Sequence, residues 1–272
     1  MTELRPLPAR ERDHREQAQQ LRFLDAGLWL GPPQGFPLAR ELAPAELAPT
    51  LARYHLTGGL VSHWNGYAVS AQDGNQDLAA VFGAAPAPVP DLAAVWTALP
   101  LDPRERGPLP GVGELPAWVG AVRIFPNRHR FPLASWCVGS LGAWLRDRRL
   151  PLLVWHTEAD WSSLHALARE FPELPLVIET QPQKILYHTR PLFALLRACP
   201  NVFLETSNFA GAGFIEHAVG EFGASRLIYG SFLPVADPWV PIGMVLDAAI
   251  AATDKQLIAG DNLRRLLREV RR

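Results

Sequence analysis

Eight short apolar runs follow one another along this 272-residue chain, each rich in Val, Ile, Leu and aromatic residues. They fall at 21–30, 59–63, 92–98, 118–125, 151–156, 175–180, 202–206 and 226–231. The runs are continuous rather than alternating, which is the pattern of strands buried on both faces of a parallel sheet. Helical patterns separate the later runs, at 141–148, 161–170, 190–198 and 214–222. Eight such units in about 250 residues predict an α/β fold, a single (β/α)8 TIM barrel. The first half is less regular. Pro, Ala and Gly crowd 84–90 and 99–116, which predicts loops, a somewhat distorted half-barrel and one missing or shortened helix. Asp73-Gly74-Asn75 reads as a turn, and Gly111-Val112-Gly113 is no dinucleotide fingerprint because it does not join a strand to a helix.

Residues 1–272 read as one domain: a helical extension over 1–20, barrel strands over 21–236 and C-terminal helices over 237–272. The extension is predicted helical over 10–20. The closing helices are predicted at 240–252 and 254–271, with a break near 259–262 and Asp254 as an N-cap. The composition, 48% hydrophobic, supplies ample core. A net charge of −1 gives no field that favours nucleic acid or an anionic membrane. The basic clusters at 146–149 and 264–272 read as solvated helix ends. Cys137 and Cys199 form no CxxC and read as small buried residues. The first twenty residues are charged and lack an apolar signal core, and no apolar run reaches the ~18 residues of a membrane span. The expectation is a cytoplasmic protein.

Several phrases carry more specific information. The first run reads Phe23-Leu24-Asp25-Ala26-Gly27-Leu28-Trp29-Leu30-Gly31. Later come Gly120-Ala121-Val122-Arg123-Ile124-Phe125-Pro126, then Pro151-Leu152-Leu153-Val154-Trp155-His156-Thr157. Pro200-Asn201-Val202-Phe203-Leu204-Glu205-Thr206-Ser207, Arg226-Leu227-Ile228-Tyr229-Gly230-Ser231 and Gly260-Asp261-Asn262-Leu263-Arg264-Arg265-Leu266 complete the series. In order and spacing, over nearly the whole chain, they resemble the strand phrases of the amidohydrolase superfamily, the metal-dependent hydrolase branch of TIM barrels. In that family the first strand ends Asp-Ala-His-x-His, and both His bind metal. The corresponding positions hold Gly27 and Trp29, which offer a metal no lone pair. The fifth-strand His corresponds to His156. The sixth-strand His falls near Thr180-Gln181-Pro182, and the eighth-strand Asp, metal ligand and general base, corresponds to Phe232. The resemblance therefore implies a divergent member with one of five ligand positions kept. A catalytic metal needs about three protein ligands and an open site, so no metal and no other cofactor is expected. Trp29 and Phe232 are expected to point into the barrel mouth and fill ligand space.

Strand C-terminal ends face the site in this fold. They bring Trp29, His63, Asn65, Arg123, His156, Glu158, Glu179, Gln181, Glu205, Ser207, Asn208 and Ser231 to the mouth. His156 and Glu158 alternate and so are expected to share a face. With Glu205 they are the candidate acid–base residues, His156 and Glu205 forming the pair. Arg123 is the candidate clamp for a carboxylate or phosphate. Trp29, His63, Gln181, Asn208 and Ser231 complete the candidate substrate-binding set. Each also has a structural reading: His156 as a relic, Glu205 paired with Arg123 for barrel integrity, His63 as a loop cap. Ser62 and Ser207 lack a nucleophile elbow. The nine tryptophans read mostly as core and helix packing.

Two functional expectations follow. One is a barrel without the metal set, acting as a small-molecule binding protein or pseudoenzyme, with a homodimer as a further possibility. The other is an active hydrolase or lyase with a site rebuilt around His156, Glu158, Arg123 and Glu205, in which a divalent metal such as zinc is one variant.

Overall fold

The computed structural model describes residues 9–83, 89–100 and 115–272. The segments 84–88 and 101–114, and with them most of the two predicted loops and the Gly111-Val112-Gly113 phrase, lie outside the described residues. Eight parallel strands pair in sequence order: β1 (Phe23–Leu30), β2 (Leu56–His63), β3 (Asp91–Thr97), β4 (Val119–Ile124), β5 (Leu152–Trp155), β6 (Leu176–Glu179), β7 (Val202–Glu205) and β8 (Leu227–Ile228). Between β8 and β1, Ala26 N–H donates to Tyr229 O at 3.0 Å and Trp29 N–H to Leu233 O at 2.9 Å. These bonds bring the sheet nearly to closure.

Helices lie between the strands, and the one preceding the barrel spans Ala9–Leu21. The first half holds helices that the sequence reading did not assign, Pro44–Arg53 and Ala71–Phe82. The second corrects the turn assigned to Asp73-Gly74-Asn75. Ser70 caps it by accepting from Asp73 N–H, and Gly74 lies against Gly66 of the short helix Trp64–Ala68. A Cβ at Gly74 would stand 2.3 Å from Gly66, so the glycine serves a close helix crossing and not a turn. Asp254 is likewise not an N-cap. It lies inside the helix Ala252–Gln256, whose cap position is Ala251. The break near 259–262 is a π-helical turn, Leu257–Asp261, running into Asn262–Arg268. Among the described residues no helix is long and apolar enough to cross a membrane. Both cysteines are free thiols.

Strand alternation sorts the barrel interior into layers. The lowest holds Leu24, Ala26, Leu60, Val95, Ala121, Leu153, Val177, Phe203 and Ile228, closed from below by Leu263 and Leu266 of the last helix. Above it lie the buried polar residues Ser62, Arg123, Glu179 and Glu205. A cluster of Trp29, Trp64, Phe125, Trp155 and Phe232 forms the top.

The barrel mouth as candidate functional site

Arg123, from the end of β4, is 1% exposed. Its guanidinium makes a two-point fork on Glu179 at the end of β6, with Nε donating to Oε2 at 2.9 Å and Nη2 to Oε1. Nη1 donates to Ser62 Oγ of β2. Gln181 continues the chain of bonds: its Nε2 donates to Glu179 Oε1 at 2.8 Å. Its Oε1 accepts from the indole N–H groups of Trp29 (2.8 Å) and Trp155 (3.2 Å). The Arg123 guanidinium also stacks over the Trp29 ring, 4.5 Å from its centroid. Arg123 is thus committed to Glu179 and not to Glu205, and Gln181 has both ends of its amide engaged.

Glu205 forms a second knot at the end of β7. It accepts from Ser207 N–H (2.7 Å), Ser207 Oγ (3.0 Å) and Thr180 N–H (3.0 Å). Burial and the nearby Glu179 charge push its carboxyl up to about 8, so it holds a proton at neutral pH. Asn208 is tied to the same corner through Thr180 Oγ1 (2.8 Å) and Gln181 O. Across the seam, Asp25 accepts from Gly27 N–H (2.8 Å), Ser231 N–H (2.9 Å) and Ser231 Oγ. Burial raises it to about 6. Ser231 therefore pins β8 to β1.

The aromatic layer covers these knots. Trp29 packs against Trp64 at 4.6 Å, Trp155 at 5.3 Å and Phe232 at 6.4 Å between ring centroids. All five members of the layer are 0–2% exposed. Phe232 is held at φ 61, a region a bulky side chain rarely adopts. The mouth position of β5 is filled by Trp155.

The remaining candidates stand apart. β5 ends at Trp155, and the chain turns at His156-Thr157, so the expected alternation of His156 and Glu158 does not continue. His156 is buried in this turn. Its Nδ1 is 3.2 Å from Glu179 O, and its ring centroid is 5.6 Å from that of His188. Glu158 accepts from Arg128 N–H at 2.9 Å, on the loop after β4. Burial raises the Glu158 carboxyl and lowers both His156 and His63. His63 Nδ1 lies 3.1 Å from Asp77 and 3.2 Å from Asn65 N, capping the helix Trp64–Ala68. No hydrogen bond joins His156, Glu158 and Glu205 to one another, so the structure does not assemble them into one acid–base group. Among the described residues no three His, Cys, Asp or Glu side chains are grouped so as to hold a metal ion.

Sequence reasoning placed Glu179 at the mouth without seeing its bond to Arg123. It missed Asp25, Ser62, Thr180, Trp64, Phe125 and Trp155 as members of these layers. Their signal was present in the phase of the strands: Leu153 and Trp155 are two apart on one strand, and Phe125, just past the end of β4, is two beyond Arg123.

No family model and no curated protein matches the chain. Solved structures do. An amidohydrolase from Burkholderia multivorans with bound zinc is 17% identical, covers 90% of this chain and 99% of its own, and superposes with a TM-score of 0.64. Amidohydrolase 2 from Bifidobacterium longum subsp. infantis is 17% identical over 90% of this chain and 98% of its own, with a TM-score of 0.62. The 5-carboxyvanillate decarboxylase of Sphingomonas paucimobilis is 11% identical over 91% and 99%, also at 0.62. The chain shares its (β/α)8 barrel fold with these amidohydrolase-type proteins.

Proposed function

We propose that this chain is a divergent amidohydrolase-superfamily barrel that does no metal-dependent hydrolysis at its mouth and acts by binding, as a pseudoenzyme. The observation that carries this reading is the buried layer of Trp29, Trp64, Phe125, Trp155 and Phe232 over an Arg123–Glu179–Gln181 network whose donors and acceptors are used on one another. The donor set does not fit the family's metal. Glu179 is neutralised by a guanidinium, Glu205 receives two backbone N–H groups, Gln181 Oε1 is filled by two indoles, and the rest of the layer is aromatic. A metal needs free lone pairs and an open position, and this arrangement offers neither.

A small molecule has room outside the barrel axis. A groove of about 650 Å³ lies between the helices Thr189–Ala198 and Phe214–Phe222, lined by Arg190, Phe193, Arg197, Phe214 and His217. Its size is in the range of ligand pockets, and Arg190 stands on its wall while Arg197 and His217 face Glu221. A cytoplasmic location belongs to the same proposal and agrees with two unpaired thiols. Crystals grown with zinc and measured at the zinc absorption edge test the central part. No ion is expected among Trp29, Glu179, Gln181 and Phe232, and an ion there overturns the reading.

A further inference from the structure

The helices Thr189–Ala198 and Phe214–Phe222 follow β6 and β7 on the outside of the barrel. Arg190, Phe193 and Arg197 recur at helical spacing on the first, and Phe214, His217 and Glu221 on the second. Two rungs between these faces are closed by partners. Arg197 pairs with Glu221, and the rings of Phe193 and His217 stack with centroids 5.4 Å apart and planes at 15°. The third rung, towards the helix starts, is open. Arg190 makes no hydrogen bond or ion pair among the described residues. Ala212 and Gly213 on the other wall bring no side chain that could answer a guanidinium. Gly213 sits at φ 71, where glycine carries no steric cost, and a Cβ there would meet nothing within 4 Å. The groove of about 650 Å³ includes this open rung.

The open rung calls for an anion and the rung below it for a flat ring. His217 gives one ring face to Phe193, yet its side chain is 65% exposed, so the other face is open to a third ring. One rung higher, Arg190 offers a two-point fork from one wall. The helix beginning at Phe214, which no side chain caps, offers backbone N–H groups from the other. A carboxylate is planar and is fully engaged by a single fork. A phosphate monoester has three terminal oxygens and can be held from both walls. Rungs three residues apart lie about 4.5 Å apart along a helix, a separation that one sugar spans. We infer that this groove binds a phosphorylated heteroaromatic compound of the nucleoside monophosphate class. Its base extends the Phe193–His217 stack, and its phosphate lies between Arg190 and the start of the helix Phe214–Phe222. The volume is in the range for a ligand of that size and larger than a lone anion needs.

The assignment rests on the reading that the chain acts by binding, and the two fail separately. A zinc ion at the mouth would end that reading and leave the groove unaltered. Absence of nucleotide binding beside an empty mouth would end this assignment alone.

The test is titration of the full chain with adenosine monophosphate, followed by amide NMR, with adenosine, inorganic phosphate and benzoate titrated in parallel. The monophosphate should bind more tightly than the other three, with shifts confined to 189–193 and 212–217. Arg190→Gln should weaken it about tenfold or more and leave adenosine unchanged. Ala212→Glu, which supplies the acid missing from the open rung, should do the same. His217→Ala should weaken the monophosphate about fivefold or more and leave inorganic phosphate unchanged. All three positions are exposed, so the fold survives these changes, which circular dichroism checks. Failure of the monophosphate to bind at millimolar concentration, binding unchanged in Arg190→Gln, or benzoate binding as tightly overturns the assignment.

Discussion

The two ends of the barrel interior are built from opposite materials. At the lower end, aliphatic side chains such as Leu60, Val95, Leu153 and Ile228 pack into an ordinary apolar layer, closed by Leu263 and Leu266. At the mouth, a buried ion pair and two separate carboxyl knots lie beneath five aromatic rings. The lower layer is interchangeable hydrophobic volume. The upper layers depend on particular partners: the buried carboxyl groups of Asp25, Glu179 and Glu205 each have named donors, so that removal of one group strands another, while the Trp64 indole N–H is buried without a partner. Barrels of this fold carry their chemistry at the upper end. Here that end has the polar inventory of a site and the closure of a core.

The difference predicts a ranking of effects. Glu179→Ala should be the most damaging change, because it leaves Arg123 buried and unpaired, at a cost of about 3–5 kcal/mol in urea unfolding. The double replacement of Arg123 and Glu179 by Leu should cost less than either single one, since no charge is then stranded. If the double variant is the worse, the ion pair contributes more than mutual compensation. Trp29→Ala should cost about 3–5 kcal/mol through the cavity it leaves and through lost bonding to Gln181. It should also admit an apolar dye that the wild type excludes.

The pH dependence separates the two ends more sharply. Glu205 has a folded value of about 8, above its ordinary value of 4.5. Between these values the folded state holds a proton that the unfolded chain has lost, so stability is greatest below the lower value and falls as pH rises towards 8. Asp25, raised to about 6, acts in the same direction over a lower window. The steepest slope from one such group is about 1.4 kcal/mol per pH unit. Below about pH 6.5 the lowered values of His63 and His156 act in the opposite direction, so the test window is pH 7 to 8: denaturant midpoints should fall there, and Glu205→Gln should flatten the curve. A wild-type curve that rises between pH 7 and 8 would contradict the buried, protonated Glu205. The smallest effect belongs to the lower layer. Ile228→Val should cost about 0.5–1.5 kcal/mol and leave the pH dependence unchanged.

The sequence disclosed strands more readily than partners. Continuous apolar runs are a strong signal for a parallel barrel, and all eight fall where the strands are. The same continuity hides which residues face inwards. In 151–156 nothing marks Trp155 as a member of the inward aromatic layer, and the phrase resemblance drew the reading to His156. The Arg123–Glu179 pair joins β4 and β6 across an intervening strand, so its formation depends on three-strand register and not on local spacing. Trp29 and Phe232 were legible because both stand where a ligand would project. Gly74 was not, because its local chemistry suggests a turn, whereas the helix crossing it permits depends on Gly66. Trp136 also departs from the expectation of packing: it is 81% exposed at the start of the helix Ser135–Asp147.

The sealed mouth is tested most directly by hydrogen exchange at the indole N–H groups, followed by NMR under native conditions. Trp29 and Trp155 donate to Gln181 from positions 0% and 2% exposed, while Trp136 is open to water. The account predicts that the Trp136 proton exchanges at once and that those of Trp29 and Trp155 persist until the barrel opens globally. Exchange of Trp29 as fast as that of Trp136 would mean that the mouth is open in the folded protein, and the proposal of a closed barrel would fail.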